Sequence, residues 1–242
     1  DGRPMESGGE GLGRGGGGAP ERGLAGGRFR IAAGLEAAPD LASVFAAHGA
    51  AAHRNTVARL RAGDEPELAG RVVGNARQVA PGAPVVWNRR GFVELQLGTR
   101  AQALECFRKA AELGQAYPEA HVNYGAMLVE AEAFSEAAQQ LELAAREAPG
   151  SAAAQLNLGN ARRGAREIEK AEAAYRRALA IDPALADAWF DLGLLYLDGD
   201  VPGLAAAARL EQAVAFLDRY AAAGGADPRL EPYRREAASQ LD

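Results

Sequence analysis

Along most of this chain, apolar residues recur every three or four positions in runs of about a dozen, separated by glycine, proline or charged residues. That spacing keeps the apolar side chains on one side of a helix, so the pattern predicts short amphipathic helices joined by tight turns. Residues 152 to 164 and 167 to 181 form one such pair. Asp182-Pro183 ends the second run, because a proline holds its predecessor out of helical geometry. The pairs recur at a fixed offset. Gly91, Gly125, Gly159 and Gly193 lie 34 residues apart. In the same frame stand Ala103, Ala137, Ala171 and Ala205, then Phe107, Leu141 and Tyr175, then Ala110, Ala144 and Ala178. A lone helical hairpin would leave one apolar face wet, so the repeat predicts an all-α solenoid in which neighbours bury one another. Glycine and alanine in the recurring columns let paired helices approach closely, and the large residues fill the space between successive hairpins.

Trp87, His121, Gln155 and Trp189 open successive units, and Pro149 and Pro183 close those opened by His121 and Gln155. Carrying the frame back by 34 residues reaches Val57, Ala69, Val73, Ala76 and Pro81, a degenerate first unit. The expected organisation is five hairpins, at about 50–83, 84–117, 118–151, 152–185 and 186–225. A capping helix over 228–241 follows them, and a capping segment over 35–49 precedes them. In the last unit Ala213, Leu217 and Tyr220 fit the pattern only after eight extra residues. Eight residues are about two helical turns, so the apolar face keeps its orientation and a lengthened second helix is expected.

Composition narrows the function classes. The chain is 48% hydrophobic, mostly alanine and leucine, and only 6% aromatic, which favours closely packed helices over sheet. A net charge of −5 gives no general basic field for nucleic acid, and no run of apolar residues is long enough to span a bilayer. Twelve of the first 27 residues are glycine, so residues 1–34 read as a disordered glycine-rich tail or tether. Gly11, Gly13 and Gly16 match a dinucleotide-loop spacing, but no strand precedes them. The single Cys106 forms no intramolecular disulfide, and His48, His53 and His121 have no metal-ligand spacing. No nucleophile elbow or phosphate loop is present, so neither catalysis nor a cofactor or metal is expected. The chain opens on Asp1, which suggests a fragment or processed form and leaves the compartment open between bacterial cytoplasm and cell envelope.

The run Gln155-Leu156-Asn157-Leu158-Gly159 through Ala171, Tyr175, Ala178 and Pro183, followed by Trp189-Phe190-Asp191-Leu192-Gly193, resembles the tetratricopeptide-repeat (TPR) signature. The resemblance covers residues 50–222 and implies a right-handed superhelix that binds polypeptides. Arg90 and Arg162 depart from it, replacing apolar residues and implying looser packing or exposure there. The lengthened last unit also looks like TPR lipoproteins of bacterial gliding-motility machinery. That second resemblance implies an envelope-anchored assembly component. A regulatory array of a longer enzyme is a further alternative.

The TPR resemblance also implies that first helices line a concave groove. At its ligand-facing positions stand Asn88, Phe92, Leu95, Val122, Val129, Leu156, Asn160, Arg163, Phe190 and Leu194, with Arg54 and Arg61 at one end and Asp187 and Asp198 at the other. An exposed strip of Phe92, Leu95, Val122, Val129, Phe190 and Leu194 is expected to hold an amphipathic helix or extended peptide of another protein. The chain's own tail, the 35–49 segment or self-association are the alternative ways of covering it. Asn55, Asn123, Asn157 and Asp191 recur at one position, either as a polar ladder for a ligand backbone or as local structural hydrogen bonding. Lys109 and Lys170 lie outside the positions of the carboxylate clamp found in some members of the family.

Overall fold

The computed structural model describes residues 82–114, 117–198 and 201–240. The tail, the 35–49 segment and all but the last two residues of the degenerate first unit lie outside them, as do Arg54, Arg61, Asn55, His48 and His53. Among the described residues there are helices and no strands. They are α1 (Pro84–Gln96), α2 (Arg100–Leu113), α3 (Pro118–Glu130), α4 (Phe134–Glu147), α5 (Ala152–Gly164), α6 (Ile168–Ile181), α7 (Ala186–Asp198), α8 (Ala206–Ala222) and α9 (Leu230–Ser239). Consecutive helices pack as four antiparallel hairpins, α1/α2 to α7/α8, and α9 folds against α8. The first helices α1, α3, α5 and α7 also touch one another in order, whereas the second helices contact chiefly first helices. The first helices therefore lie side by side on the inner face, and the second helices diverge on the outer one.

Local chemistry accounts for the boundaries. Pro84 and Pro118 start α1 and α3 where a missing N–H costs nothing, and the Ser151 hydroxyl accepts from Ala154 N at 3.2 Å to cap α5. The turns within the first three hairpins share one geometry. Gly98, Glu132 and Arg166, each 34 residues apart, have φ of 76°, 59° and 60°, and the next N–H reaches back to the carbonyl of Glu94, Leu128 or Arg162. This left-handed stop satisfies the last carbonyls of each first helix.

The recurring columns meet as their chemistry requires except at Ala205, which is exposed just before α8 while Ala213 is buried within it. Ala103, Phe107, Ala110, Leu141, Ala171, Tyr175 and Ala178 are all fully buried. The fourth hairpin keeps the contact with a shifted partner. Leu217 lies against Gly193, where Phe107 and Leu141 lie against Gly91 and Gly125 in earlier hairpins. The eight extra residues do not all enter the helix, however. α8 has 17 residues against 14 in α6, and the connection is also longer, running over 199–205 instead of 165–167. Arg209 anchors this insertion by donating to the carbonyl oxygens of Tyr196 and of Leu197, the latter at 2.8 Å, near the C-terminal end of α7.

The two arginines that break the apolar pattern are not loosely exposed. Arg90 pairs with Glu94, which is itself buried, and Arg162 is held between Glu142 and Glu167.

Candidate binding surface

The ten candidate residues fall on the first helices at helical spacing: Asn88, Phe92 and Leu95 on α1, Val122 and Val129 on α3, Leu156, Asn160 and Arg163 on α5, Phe190 and Leu194 on α7. Their exposure divides them, and it corrects the expectation of one open apolar strip. Phe92, Leu95, Val129 and Arg163 are half-buried, whereas Asn88, Val122, Leu156, Asn160, Phe190 and Leu194 are buried.

At the C-terminal end the capping helix packs on the candidates from outside. The Phe190 ring lies 4.9 Å from the ring of Tyr220 and 6.0 Å from that of Tyr233, with the Arg229 guanidinium 5.5 Å from its centre. Leu194 shares this cluster with Leu217, Tyr220 and Leu230. A further hydrogen bond fixes the chain entering α9: Asp227 N donates to the Tyr220 hydroxyl at 2.8 Å, and the buried Asp227 carboxylate holds Arg229. That a C-terminal helix caps the stack was legible in the sequence. That its Leu230 and Tyr233 would lie on Phe190 and Leu194 was not.

Elsewhere the buried candidates serve the packing. Val122 sits between Ala144 and Ala154, and Leu156 belongs to the core that runs through Tyr175 and Leu192. Asn88 accepts from Asn123 Nδ2 at 2.8 Å and donates to the Tyr117 hydroxyl at 3.1 Å, and Asn160 accepts from the Tyr175 hydroxyl at 2.7 Å. Asn123, Asn157 and Asp191 are all fully buried, so a ligand backbone does not reach that recurring polar position in this structure. The side chains left at the inner surface are the apolar Phe92, Leu95 and Val129, which pack on the core of the first two hairpins, and farther along Arg163. Burial opposes the Arg163 charge, but Tyr175, Asp191, Asp198 and Tyr233 act the other way and its pKa stands above the ordinary value.

Among the described residues no group of three metal-ligating side chains occurs, and no helix is long and apolar enough to cross a membrane. His121 Nδ1 lies 2.9 Å from Gln140 Oε1, and Lys109 sits 4.6 Å over the Trp87 ring. Burial pushes the Cys106 thiol up to about 11, so it is not a thiolate at neutral pH.

Known proteins agree with this architecture. Residues 85–116 match a family model described as tetratricopeptide repeat, and residues 167–199 one described as TPR repeat. Among solved structures, MamA 41-end from Desulfovibrio magneticus RS-1 is 23% identical with a TM-score of 0.57, over 74% of this chain and 93% of its own. The pilF protein of Pseudomonas aeruginosa gives 18% and 0.62, over 78% and 86%. YrrB, described as a TPR protein with an unusual peptide-binding site, gives 20% and 0.58, over 86% and 98%. At these identities the likeness is one of fold. No curated protein sequence matches the chain. Taken with the 34-residue frame and the stacked hairpins, the two family matches show that this chain carries tetratricopeptide repeats, which supports a protein–protein interaction scaffold.

Proposed function

We propose that the chain is a non-catalytic scaffold that holds a polypeptide segment of a partner along the inner face of its first two described hairpins. The observation that carries this reading is the survival of Phe92, Leu95 and Val129 as half-buried apolar side chains on adjacent first helices, while Phe190 and Leu194 at the other end lie beneath α9. Apolar side chains that remain at a surface between neighbouring helices suit the spaced anchors of an amphipathic helix or extended peptide. Arg163, farther along the same face, adds a charge for orientation.

The test is partner capture by the full chain, compared with Leu95→Asp/Val129→Asp under matched circular dichroism spectra. A partner retained by the native chain and lost by the folded variant supports the inner face as its site. An unchanged partner set with an intact fold sinks the reading.

A further inference from the structure

The outer face carries a second feature that the inner-face reading does not use. Between α4 and α6, over a floor supplied by α5, lies an open cleft of about 460 Å³. Its rim is basic. Arg146, Arg162, Lys170 and Arg177 line it against the single carboxylate of Glu142. Two of these cations are already matched: Arg162 pairs with Glu142 and Glu167, and Lys170 pairs with Glu167 at 3.2 Å. Arg146 and Arg177, one from each wall, are exposed and have no ion pair among the described residues. In a chain of net charge −5 this is a local excess of positive charge.

The floor holds an unmatched acceptor. Gln155 lines the cleft, is only 7% exposed, and its Oε1 accepts no hydrogen bond. The neighbouring repeats show why. One hairpin earlier, the equivalent His121 meets Gln140 on its own second helix at 2.9 Å. One hairpin later, Trp189 stacks on Phe216, with ring centres 6.0 Å apart. In the third hairpin the residue equivalent to Gln140 is Ala174, whose methyl group offers no donor and leaves room above Gln155. The polar position was kept and its partner was replaced by space. A buried amide oxygen without a donor is an unfavourable arrangement that an incoming N–H relieves.

We infer that this outer cleft docks an acidic segment of a partner polypeptide, with Arg146 and Arg177 pairing with its carboxylates and Gln155 Oε1 accepting a backbone N–H. A small anion satisfies the arginines but supplies no N–H. The polypeptide backbone supplies both, and the alanine walls at Ala145 and Ala173 let it approach closely. The site is separate from the inner face, so either can fail without the other.

The test is a titration of the isotope-labelled full chain with the blocked peptide Ac-Glu-Ala-Glu-Ala-Glu-Ala-NH2, its glutamine counterpart and inorganic phosphate, at an ionic strength of about 50 mM to limit screening. The expected result is saturable shifts of backbone amides around Arg146, Gln155 and Arg177. The glutamine peptide and the Arg146→Glu/Arg177→Glu variant should each bind about tenfold more weakly. Gln155→Leu should lose about threefold for the acidic peptide and nothing for phosphate. Should charge reversal disturb the fold, Arg146→Gln/Arg177→Gln with a native spectrum must show the same loss. Equal response to phosphate, shifts confined to Phe92 and Val129, or no saturable shift overturns the proposal. So does self-association of the native chain that the arginine variants abolish, since the occupant is then a second copy.

Discussion

Tyr175 lies against Gly159 so closely that a methyl group on Gly159 would overlap the tyrosine ring, while the Tyr175 hydroxyl donates to Asn160 Oδ1 at 2.7 Å one residue further along the same helix. The contact recurs as Phe107 on Gly91, Leu141 on Gly125 and Leu217 on Gly193, where a methyl carbon added to the glycine would stand 2.5 to 2.7 Å from the opposing side chain. Gly159→Ala gains about 1 kcal/mol of helix propensity but must push a fully buried ring aside, so a net loss of about 1–2 kcal/mol in urea unfolding is expected. Gly150→Ala, with open space around it, should change stability by less than about 0.5 kcal/mol.

Glu132 and Arg166 occupy the left-handed turn position that Gly98 fills in the preceding hairpin. A side chain there costs about 1 kcal/mol that glycine avoids. Glu132→Gly and Arg166→Gly should therefore each raise unfolding stability by about that amount, and Gly98→Ala should lower it similarly, as read by urea denaturation.

Phe190 and Leu95 sit at ligand-facing positions of the same repeat pattern, yet Phe190 is fully buried and Leu95 half-buried. Phe190→Asp places a carboxylate among Tyr220, Leu230 and Tyr233 and should cost at least about 4 kcal/mol, unfolding the last hairpin and α9 in hydrogen exchange. Leu95→Asp should cost only about 1 kcal/mol and leave the exchange pattern of α9 unchanged.

Cys106 is 6% exposed, and its thiol is pushed up to about 11 from 9.0 by burial first, with Glu94 contributing. Two pKa units leave about a hundredfold less thiolate near pH 8, so alkylation by iodoacetamide should be slower in the native chain than in urea by at least that factor. Comparable rates in the two states would contradict the burial.

The Glu167 carboxyl is held below its ordinary 4.5 by its hydrogen bond to Arg162, with burial opposing and Lys170 assisting. A carboxylate lowered in the folded state contributes stability above its unfolded pKa and loses it as pH falls through the folded value. Glu167→Gln should therefore be less stable than the native chain at pH 7, and the difference should shrink as the pH is lowered below 4.5, measured by thermal melts across the range.

Much of this fold is written locally. The 34-residue frame marks the hairpins, and the bounds read for the first helix of the third hairpin, 152 to 164, are those of α5. The match of Leu217 to the shifted frame anticipates its seat on Gly193, because a helix's period and its close-packing glycines are properties of short segments. Other features depend on where distant segments come to rest. Phe92 and Leu194 stand at the same position of the 34-residue frame, yet Phe92 is half-buried while Leu194 is buried in a cluster that includes Leu230 of α9. The orphaned Gln155 is likewise invisible in its own helix. It arises because Ala174, nineteen residues later, stands where the preceding hairpin has Gln140. The period, the helices and their mutual burial follow from residues a few positions apart. Exposure and hydrogen-bond satisfaction are decided pair by pair across helices, so which inner-face residues stay open, and that Gln155 Oε1 lacks a donor, follow only from the packed structure.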